Sequence, residues 1–280
     1  MTPQGFAILA VVLRAGSGLL IGPDKQYLLD SRLGPILQQN GLRDLDALAL
    51  RLQANNPELA RQVVEAMTTN ETFFFRDGKP FTHFRQQALP RLHAARAAGT
   101  RLRVWSAAAS AGQEAYSLAM IVAESAALLN GRPVEIVGTD ISREQVVRAR
   151  DALYTQFEAQ RGLPMQALVK YFRKEGMNWR LIDSIRSRAV FREWNLLADL
   201  RPLGQFDVVF CRNVLIYFDL PTKRRVMEAI ARQMAPDGVL YLGAAETVLG
   251  VTDAFAAVDL GVYEPRQPES ARLAALAAAQ

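Results

Sequence analysis

Four short stretches of the chain combine small and polar residues in patterns suited to ligand chemistry. The first is Trp105-Ser106-Ala107-Ala108-Ala109-Ser110-Ala111-Gly112, between an apolar strand pattern and an Ala- and Leu-rich helical one. Small side chains there let the backbone approach a ligand, and the helix N-terminus presents free N–H groups. The run is not GxGxxG and holds one glycine, so a ligand smaller than a diphosphate suits it better. Tight helix–strand packing would produce the same composition. Glu114 falls in the first turn of that helix, where the dipole favours a carboxylate by ~0.3–1 kcal/mol and a ligand ammonium could be bound. Asp140 ends the second strand, a position from which a carboxylate accepts hydrogen bonds from ribose hydroxyls. Helix capping competes as its role, although Ser142, with Gln145 three residues on, already forms a capping-box pattern. Taken together, the turn, Glu114 and Asp140 point to an adenosine-containing ligand.

The third stretch is Asn70-Glu71-Thr72-Phe73-Phe74-Phe75-Arg76-Asp77. Three consecutive aromatics cannot all enter one core from one helix, so such a segment lines a pocket. Its Asn70-Glu71-Thr72 matches a glycosylation sequon, a reading that fails without a secretory signal. The fourth is Cys211-Arg212-Asn213-Val214-Leu215-Ile216-Tyr217-Phe218-Asp219, at the end of the apolar run Phe206–Phe210. Arg212, Asn213 and Tyr217 at a strand end are placed for a site rather than for a core, though Tyr217 could equally cap the strand end.

The elements that must hold these stretches change character along the chain. Up to about Arg96 the apolar spacing is helical: Tyr27, Leu28, Leu29, Leu33, Ile36 and Leu37 recur, Gly41 closes that segment, and Pro57 opens another. A connecting helix is expected over Phe81–Ala98. Beyond Gly99, strand patterns at Leu102–Trp105, Val134–Gly138, Phe206–Phe210 and Gly238–Leu242 alternate with helices at Gly112–Leu129, after Ser142, and at Pro221–Met234. That alternation predicts a parallel sheet covered on both faces, with a ligand beyond the carboxyl ends of its strands. The pattern divides the chain into a helical part, 1–96, an α/β part, 97–265, with a small-β insertion at about 160–192, and a peripheral tail, 266–280.

Composition bounds the partners. The chain has 280 residues, 50% hydrophobic and 22% charged, with a net charge of +5. The single cysteine, Cys211, excludes an internal disulfide and suits a reducing cytoplasm. The longest apolar stretch, Phe6 to Ile21, is interrupted by Arg14 and two glycines, falls short of the roughly 18–20 residues of a membrane span and lacks a signal peptide's basic start. Between Arg161 and Arg192 eight basic residues meet only Glu175 and Asp183, a local charge of +6. Such a segment either faces an acidic partner or is a solvated face.

The chain resembles the CheR family of chemoreceptor methyltransferases. The resemblance rests on Asn70–Asp77, Trp105–Met120, Gly138–Ser142, Asn195-Leu196-Leu197, Cys211–Asp219 and Asp237–Glu246, in family order, and extends to the helical N-terminal part. It implies a Rossmann-like S-adenosylmethionine-dependent methyltransferase domain of the α/β class, with a small β-subdomain inserted and a small all-helical domain in front. It implies transfer of methyl from S-adenosylmethionine to receptor glutamates, giving γ-methyl esters and S-adenosylhomocysteine. Carried onto this sequence, Asn70, Thr72 and Arg76 contact the cofactor from the N-terminal side. Glu114 and Asp140 bind its amino-acid and ribose portions, and Asn195-Leu196 with Arg212-Asn213 complete the pocket. Ala107–Ala109 stand where members often have Cys or Gly, and Gln113 and Ala115 stand where Glu-Pro is common.

The implied acceptor needs no general base, because a glutamate with a pKa of about 4.3 is ionised at neutral pH. His83 and His93 lie in the helical part, outside every motif. Alignment and desolvation then carry catalysis, with Arg76 and Tyr217 as the residues that guide or orient the carboxylates; effective molarity can supply up to ~7–11 kcal/mol. The expected partner is the cytoplasmic helical domain of methyl-accepting chemoreceptors, met by a cytoplasmic monomer recruited to receptor arrays without membrane insertion. No metal and no nucleic acid are expected. A nucleic-acid methyltransferase would share cofactor and fold, but the DPPY or NPPY loop of base amino-methylation is replaced by Cys211-Arg212-Asn213-Val214, and Cys211 follows Phe210 rather than proline. A non-catalytic scaffold that senses S-adenosylmethionine is the other alternative.

Overall fold

The computed structural model describes residues 1–266. The tail expected at 266–280 therefore lies outside the described residues, apart from Arg266. Four helices come first: α1 (Pro3–Ser17), α2 (Gln26–Gln39), α3 (Leu45–Gln53) and α4 (Pro57–Met67). Side chains of Thr2, Asp44 and Asn56 accept hydrogen bonds from the first-turn N–H groups of α1, α3 and α4. Leu9 and Leu13 of α1, Leu29 and Leu33 of α2, Leu48 of α3 and Val63 of α4 share one core of their own.

The connecting helix expected over Phe81–Ala98 runs without a break from Lys79 to Ala95, ending three residues early and carrying a π-helical turn, Phe84–Ala88, inside it. Pro90 explains the change, because it has no N–H to donate and its ring crowds the carbonyl four residues back.

The strands are β1 (Leu102–Ala107), β2 (Val134–Asp140), β3 (Leu153–Thr155), β4 (Phe172–Glu175), β5 (Asn178–Leu181), β6 (Ala189–Glu193), β7 (Phe206–Cys211), β8 (Met234–Leu242), β9 (Phe255–Asp259) and β10 (Val262–Pro265). Seven form one sheet in the order β6-β2-β1-β7-β8-β10-β9. The first five are parallel, and β10 runs antiparallel to both β8 and β9. Alternate residues of β7 show why its run is unbroken: Val208 and Phe210 enter one core, Val209 and Cys211 the other. Helices Gln113–Glu124 and Arg143–Asp151 cover the first face, and Leu220–Arg232 the second. The chain crosses outward from β1 to β2 and returns to β7 on β1's other side, and that switch opens a crevice at the strands' carboxyl ends.

A second sheet, in the order β3-β5-β4, begins at Leu153 and ends at Leu181 rather than following the expected limits of about 160–192. Ala189–Glu193 is instead the edge of the large sheet, paired with β2. A strand of three residues, such as β3, carries too little alternation to be read before its partner is known. No helix among the described residues is long and apolar enough to cross a membrane.

Candidate functional site

At the switch point lies a crevice enclosing about 1030 Å³ of space, its open mouth included. The strand ends and the loops after them supply Asp140, Asn195, Leu196, Arg212 and Asn213 to its wall, and the first turn of the helix after β1 supplies Glu114. Asn70, Thr72, Phe73 and Arg76 close it from the segment after α4, while Ser17 and Leu19, from the end of α1, and Tyr217 border the same space. All ten residues singled out in the sequence therefore meet in one cavity, although their motifs are spread from Asn70 to Tyr217.

Its deepest part is a charged chain. Arg212, with a side chain 1% exposed, donates to Glu114 Oε2 at 2.9 Å, to Asp77 Oδ2 at 2.6 Å and to the Arg76 carbonyl at 2.8 Å. Ser106 Oγ donates to Glu114 Oε1 at 2.8 Å. Burial pushes the Glu114 carboxyl above its ordinary range, with the Arg212 guanidinium opposing it. Arg212 Nε is buried with no hydrogen-bond partner among the described residues, and an orphaned donor on a cavity wall marks a place for an acceptor.

Asp140 organises the turn after β1. Its Oδ2 accepts from Ser110 N at 2.7 Å and its Oδ1 from Ser142 N at 2.9 Å. Burial raises its pKa, while the backbone N–H groups of Ser142, Ser110 and Ile141 lower it. Within that turn Ala108 (φ 62°) and Ser110 (φ 49°) hold left-handed backbone that side chains rarely adopt. The Asp140 carboxylate keeps acceptor capacity beyond these bonds for a diol hydroxyl. The capping role belongs to Ser142, whose Oγ accepts from Gln145 N at 3.3 Å. Glu65 of α4 adds to it by accepting from Glu144 N at 2.9 Å, tying the helical part to this turn.

Not every wall residue is equally available. Asn195 Nδ2 donates to the Gly16 carbonyl at 2.6 Å and its Oδ1 accepts from Leu197 N at 2.9 Å, so its amide fastens α1 to the sheet. Asn70, Thr72, Asn213 and Tyr217, by contrast, make no side-chain hydrogen bond among the described residues. Arg76 commits only NH1, to the Glu71 carbonyl at 2.8 Å, and lies over the Phe73 ring. Among the described residues, no histidine, lysine or cysteine lines the wall. His83 bonds Tyr241 OH at 2.8 Å elsewhere, with its pKa lowered by burial, and His93 bonds Arg132.

Glu246 is the residue the sequence reading passed over. Its Oε2 accepts from Asn213 N and Gly243 N, both at 2.7 Å. Its Oε1 accepts from Leu215 N at 2.7 Å, Val214 N at 3.0 Å and Ile216 N at 3.3 Å. One buried carboxylate thus holds the loop that carries Asn213 and Tyr217, with Asn213 at φ 59°. Gly243 permits this, since a Cβ there would stand 2.7 Å from Glu246 Oε2 and 2.9 Å from Asn213 Nδ2. A signal existed: Glu246 is the sole charge between Asp237 and Asp253, and a lone carboxylate after a buried strand must find donors.

The basic segment is less free than its composition suggests. Arg161 pairs with Glu71, Lys170 with Glu124, Arg180 with Asp151 and Glu175, and Arg186 with Asp183. Arg173, Lys174, Arg188 and Arg192 have no ion pair among the described residues.

Buried carboxylates beside unpartnered donors and a strained small-residue turn fit a ligand that joins an ammonium and a carboxylate to a ribose diol, which is the donor set of S-adenosylmethionine. The comparisons with known proteins agree. Residues 70–263 match the family described as CheR methyltransferase, SAM binding domain, and residues 4–68 its all-alpha domain. Chemotaxis protein methyltransferase 1 of Pseudomonas aeruginosa is 42% identical over 252 residues, 89% of this chain and 92% of that protein. Chemotaxis protein methyltransferase Cher2 of Pseudomonas putida is 40% identical, with 89% and 92% covered. The Vibrio anguillarum chemotaxis protein methyltransferase is 38% identical, with 91% and 93% covered. An α/β sheet with this cavity at its switch point, a helical domain in front and those similarities together place the chain in the CheR methyltransferase family, as an enzyme that uses S-adenosylmethionine.

Proposed function

We propose that the chain transfers methyl to glutamate side-chain carboxylates of methyl-accepting chemoreceptors, forming γ-methyl esters in chemosensory adaptation. The observation that carries this reading is the composition of the cavity wall: acceptor-binding groups are free, its carboxylates Glu71, Glu114 and Asp140 are each already held by donors, and among the described residues no histidine, lysine or cysteine lines it. An ionised carboxylate acceptor needs none, whereas an amine or hydroxyl acceptor would need a base to remove a proton. The bound cofactor supplies an activated methyl on a sulfonium. The protein's residues supply place and environment. Asp140 receives a diol, Glu114 an ammonium, and Arg212 and Asn70 the neighbouring polar atoms. Arg76, with N–H groups left over from its bond to Glu71, faces the cofactor and pairs with its carboxylate or with the incoming one, and the Tyr217 hydroxyl orients either group. Excluding water from this crevice strips the carboxylate of hydration and raises its reactivity. Among the basic residues that could meet an acidic receptor helix, Arg173 and Lys174 on β4 are exposed and free of ion pairs.

The test uses labelled cofactor and a receptor cytoplasmic fragment, followed by alkali. Carboxyl methyl esters release volatile methanol, the expected outcome. Label that stays on the protein after alkali means an N- or C-methyl product and ends this reading, and label on nucleic acid would support the alternative that these similarities do not favour.

A further inference from the structure

The segment Asn70–Arg76 crosses the cofactor cavity as a strap, and its ties differ along its length. At one end Arg32 holds the carbonyls of Met67 and Thr68, at 2.9 and 3.1 Å, and Ser110 Oγ donates to the Asn70 carbonyl at 2.9 Å. At the other, Phe75 N donates to Ser117 Oγ at 3.0 Å and Arg212 holds the Arg76 carbonyl. The middle, Glu71 to Phe74, is held from the inserted subdomain. Arg161 NH2 donates to Glu71 Oε1 at 2.6 Å and its guanidinium lies 4.5 Å from the centre of the Phe73 ring, a ring that Arg76 also covers at 5.5 Å. The next residue, Gly162 (φ 79°), lies against the strap so closely that a Cβ would stand 2.0 Å from the Phe74 carbonyl oxygen. Phe74 itself is fully buried edge-on against Tyr154 of β3 and Phe172 of β4. The three aromatics thus go three ways: Phe73 to the cavity, Phe74 into the small sheet and Phe75 onto Phe81.

We propose that Arg161 is a positioning residue for cofactor binding, which clamps the strap through Glu71 and Phe73 so that Thr72, Phe73 and Arg76 face the cofactor, and that the small β-sheet is thereby part of the cofactor site. Its composition-based reading as one charge of a docking patch gives way to this role. With Arg161 removed, the middle of the strap keeps the Arg76 contacts to the Glu71 carbonyl and the Phe73 ring and the Phe74 plug, but loses its tie to the inserted subdomain at Glu71, and cofactor binding must order it. An exposed ion pair reinforced by a cation–π contact is worth a factor of about three to ten.

The inference rests on the cofactor site and not on the identity of the acceptor, so it is tested without a receptor. S-adenosylhomocysteine is titrated calorimetrically into wild type, Arg161→Ala, Lys174→Ala and the swap Glu71→Arg/Arg161→Glu. Arg161→Ala is expected to weaken binding about three- to tenfold, at most about 1.4 kcal/mol, with an unchanged Tm without ligand. The swap recovers part of the loss, and Lys174→Ala, in the same basic segment, matches wild type. Amide exchange at Glu71 to Phe74 rises in Arg161→Ala while that of β1 does not, and KM for S-adenosylmethionine rises at unchanged kcat. An Arg161→Ala affinity equal to wild type overturns the proposal, and a raised KM for the receptor alone returns Arg161 to the docking surface. Failure of the ester assay would leave these binding measurements untouched.

Discussion

The two ends of the large sheet are built from the same residue types to opposite effect. At the amino ends of the strands, Arg96 donates to Asp207 at 2.6 Å and to Asp237 at 2.7 Å, and Arg103 to Glu135 at 2.6 Å and to the carbonyls of Leu203 and Gln205. Asp207 also accepts from Arg103 N, so each charge there has its partner. At the carboxyl ends, Arg212 keeps an orphaned Nε, Asn213 and Tyr217 have free side chains, and Ala108, Ser110 and Asn213 hold left-handed backbone. The first end is finished within the chain; the second is finished by a ligand. Stability therefore gathers at one end of the sheet, and unmet bonding capacity at the other.

The titrations run in opposite directions too. The Arg96 guanidinium holds the Asp237 carboxyl below its ordinary range, so this group's contribution is full above an unfolded pKa of about 3.9 and is lost as pH falls through the depressed value. Burial instead raises Glu114 and Asp140. Their ionised forms oppose folding at neutral pH, and that cost fades as pH falls through the raised values. If the cofactor binds these two carboxylates ionised, as proposed above, its affinity should weaken over that same fall.

The contrast can be broken most severely at Arg212. Arg212→Met leaves Glu114 buried without its cation, a loss of about 3–5 kcal/mol, and methyl transfer should fall at least about 100-fold. The double variant Glu114→Gln/Arg212→Met should regain Tm without regaining activity; recovery of both would make the pair structural only. Glu246→Gln turns one acceptor oxygen into a donor facing N–H groups, a cost of about 1–3 kcal/mol, seen as a roughly 10- to 100-fold fall in kcat/KM. Wild-type kinetics there would mean that the Asn213–Tyr217 loop needs no such anchor. Arg76→Ala should slow turnover at least about tenfold, and near-normal initial rates in the folded variant would remove Arg76 from the reaction. Arg96→Ala is the smallest for function: it should lower stability by about 1–3 kcal/mol and flatten the acid limb of a Tm-against-pH curve, while steady-state kinetics stay as in wild type.

What could be read in advance depended on how far a residue's role is local. The parallel strands were legible because β1, β2 and β7 are apolar runs with buried carboxyl halves, and the sites because Glu114 opens the helix after β1 and Asp140 ends β2. The β9–β10 hairpin escaped because Phe255–Asp259 is buried only at Phe255. Glu246 escaped because four of its five partners lie about thirty residues away in the loop it holds. Asn195 shows the converse: its place on the cavity wall was legible, but the engagement of its amide by Gly16 depends on where α1 docks. Eight basic residues likewise read as one patch until Glu71, Glu124, Asp151 and Asp183 came to meet four of them.

Titration of S-adenosylhomocysteine into wild type, Arg212→Met and Arg96→Ala, with no receptor present, tests most directly whether the two ends divide the labour in this way. Saturable binding in wild type and in Arg96→Ala, and its loss in Arg212→Met, is the predicted result. Binding retained by Arg212→Met, or weakened as much by Arg96→Ala, would contradict it.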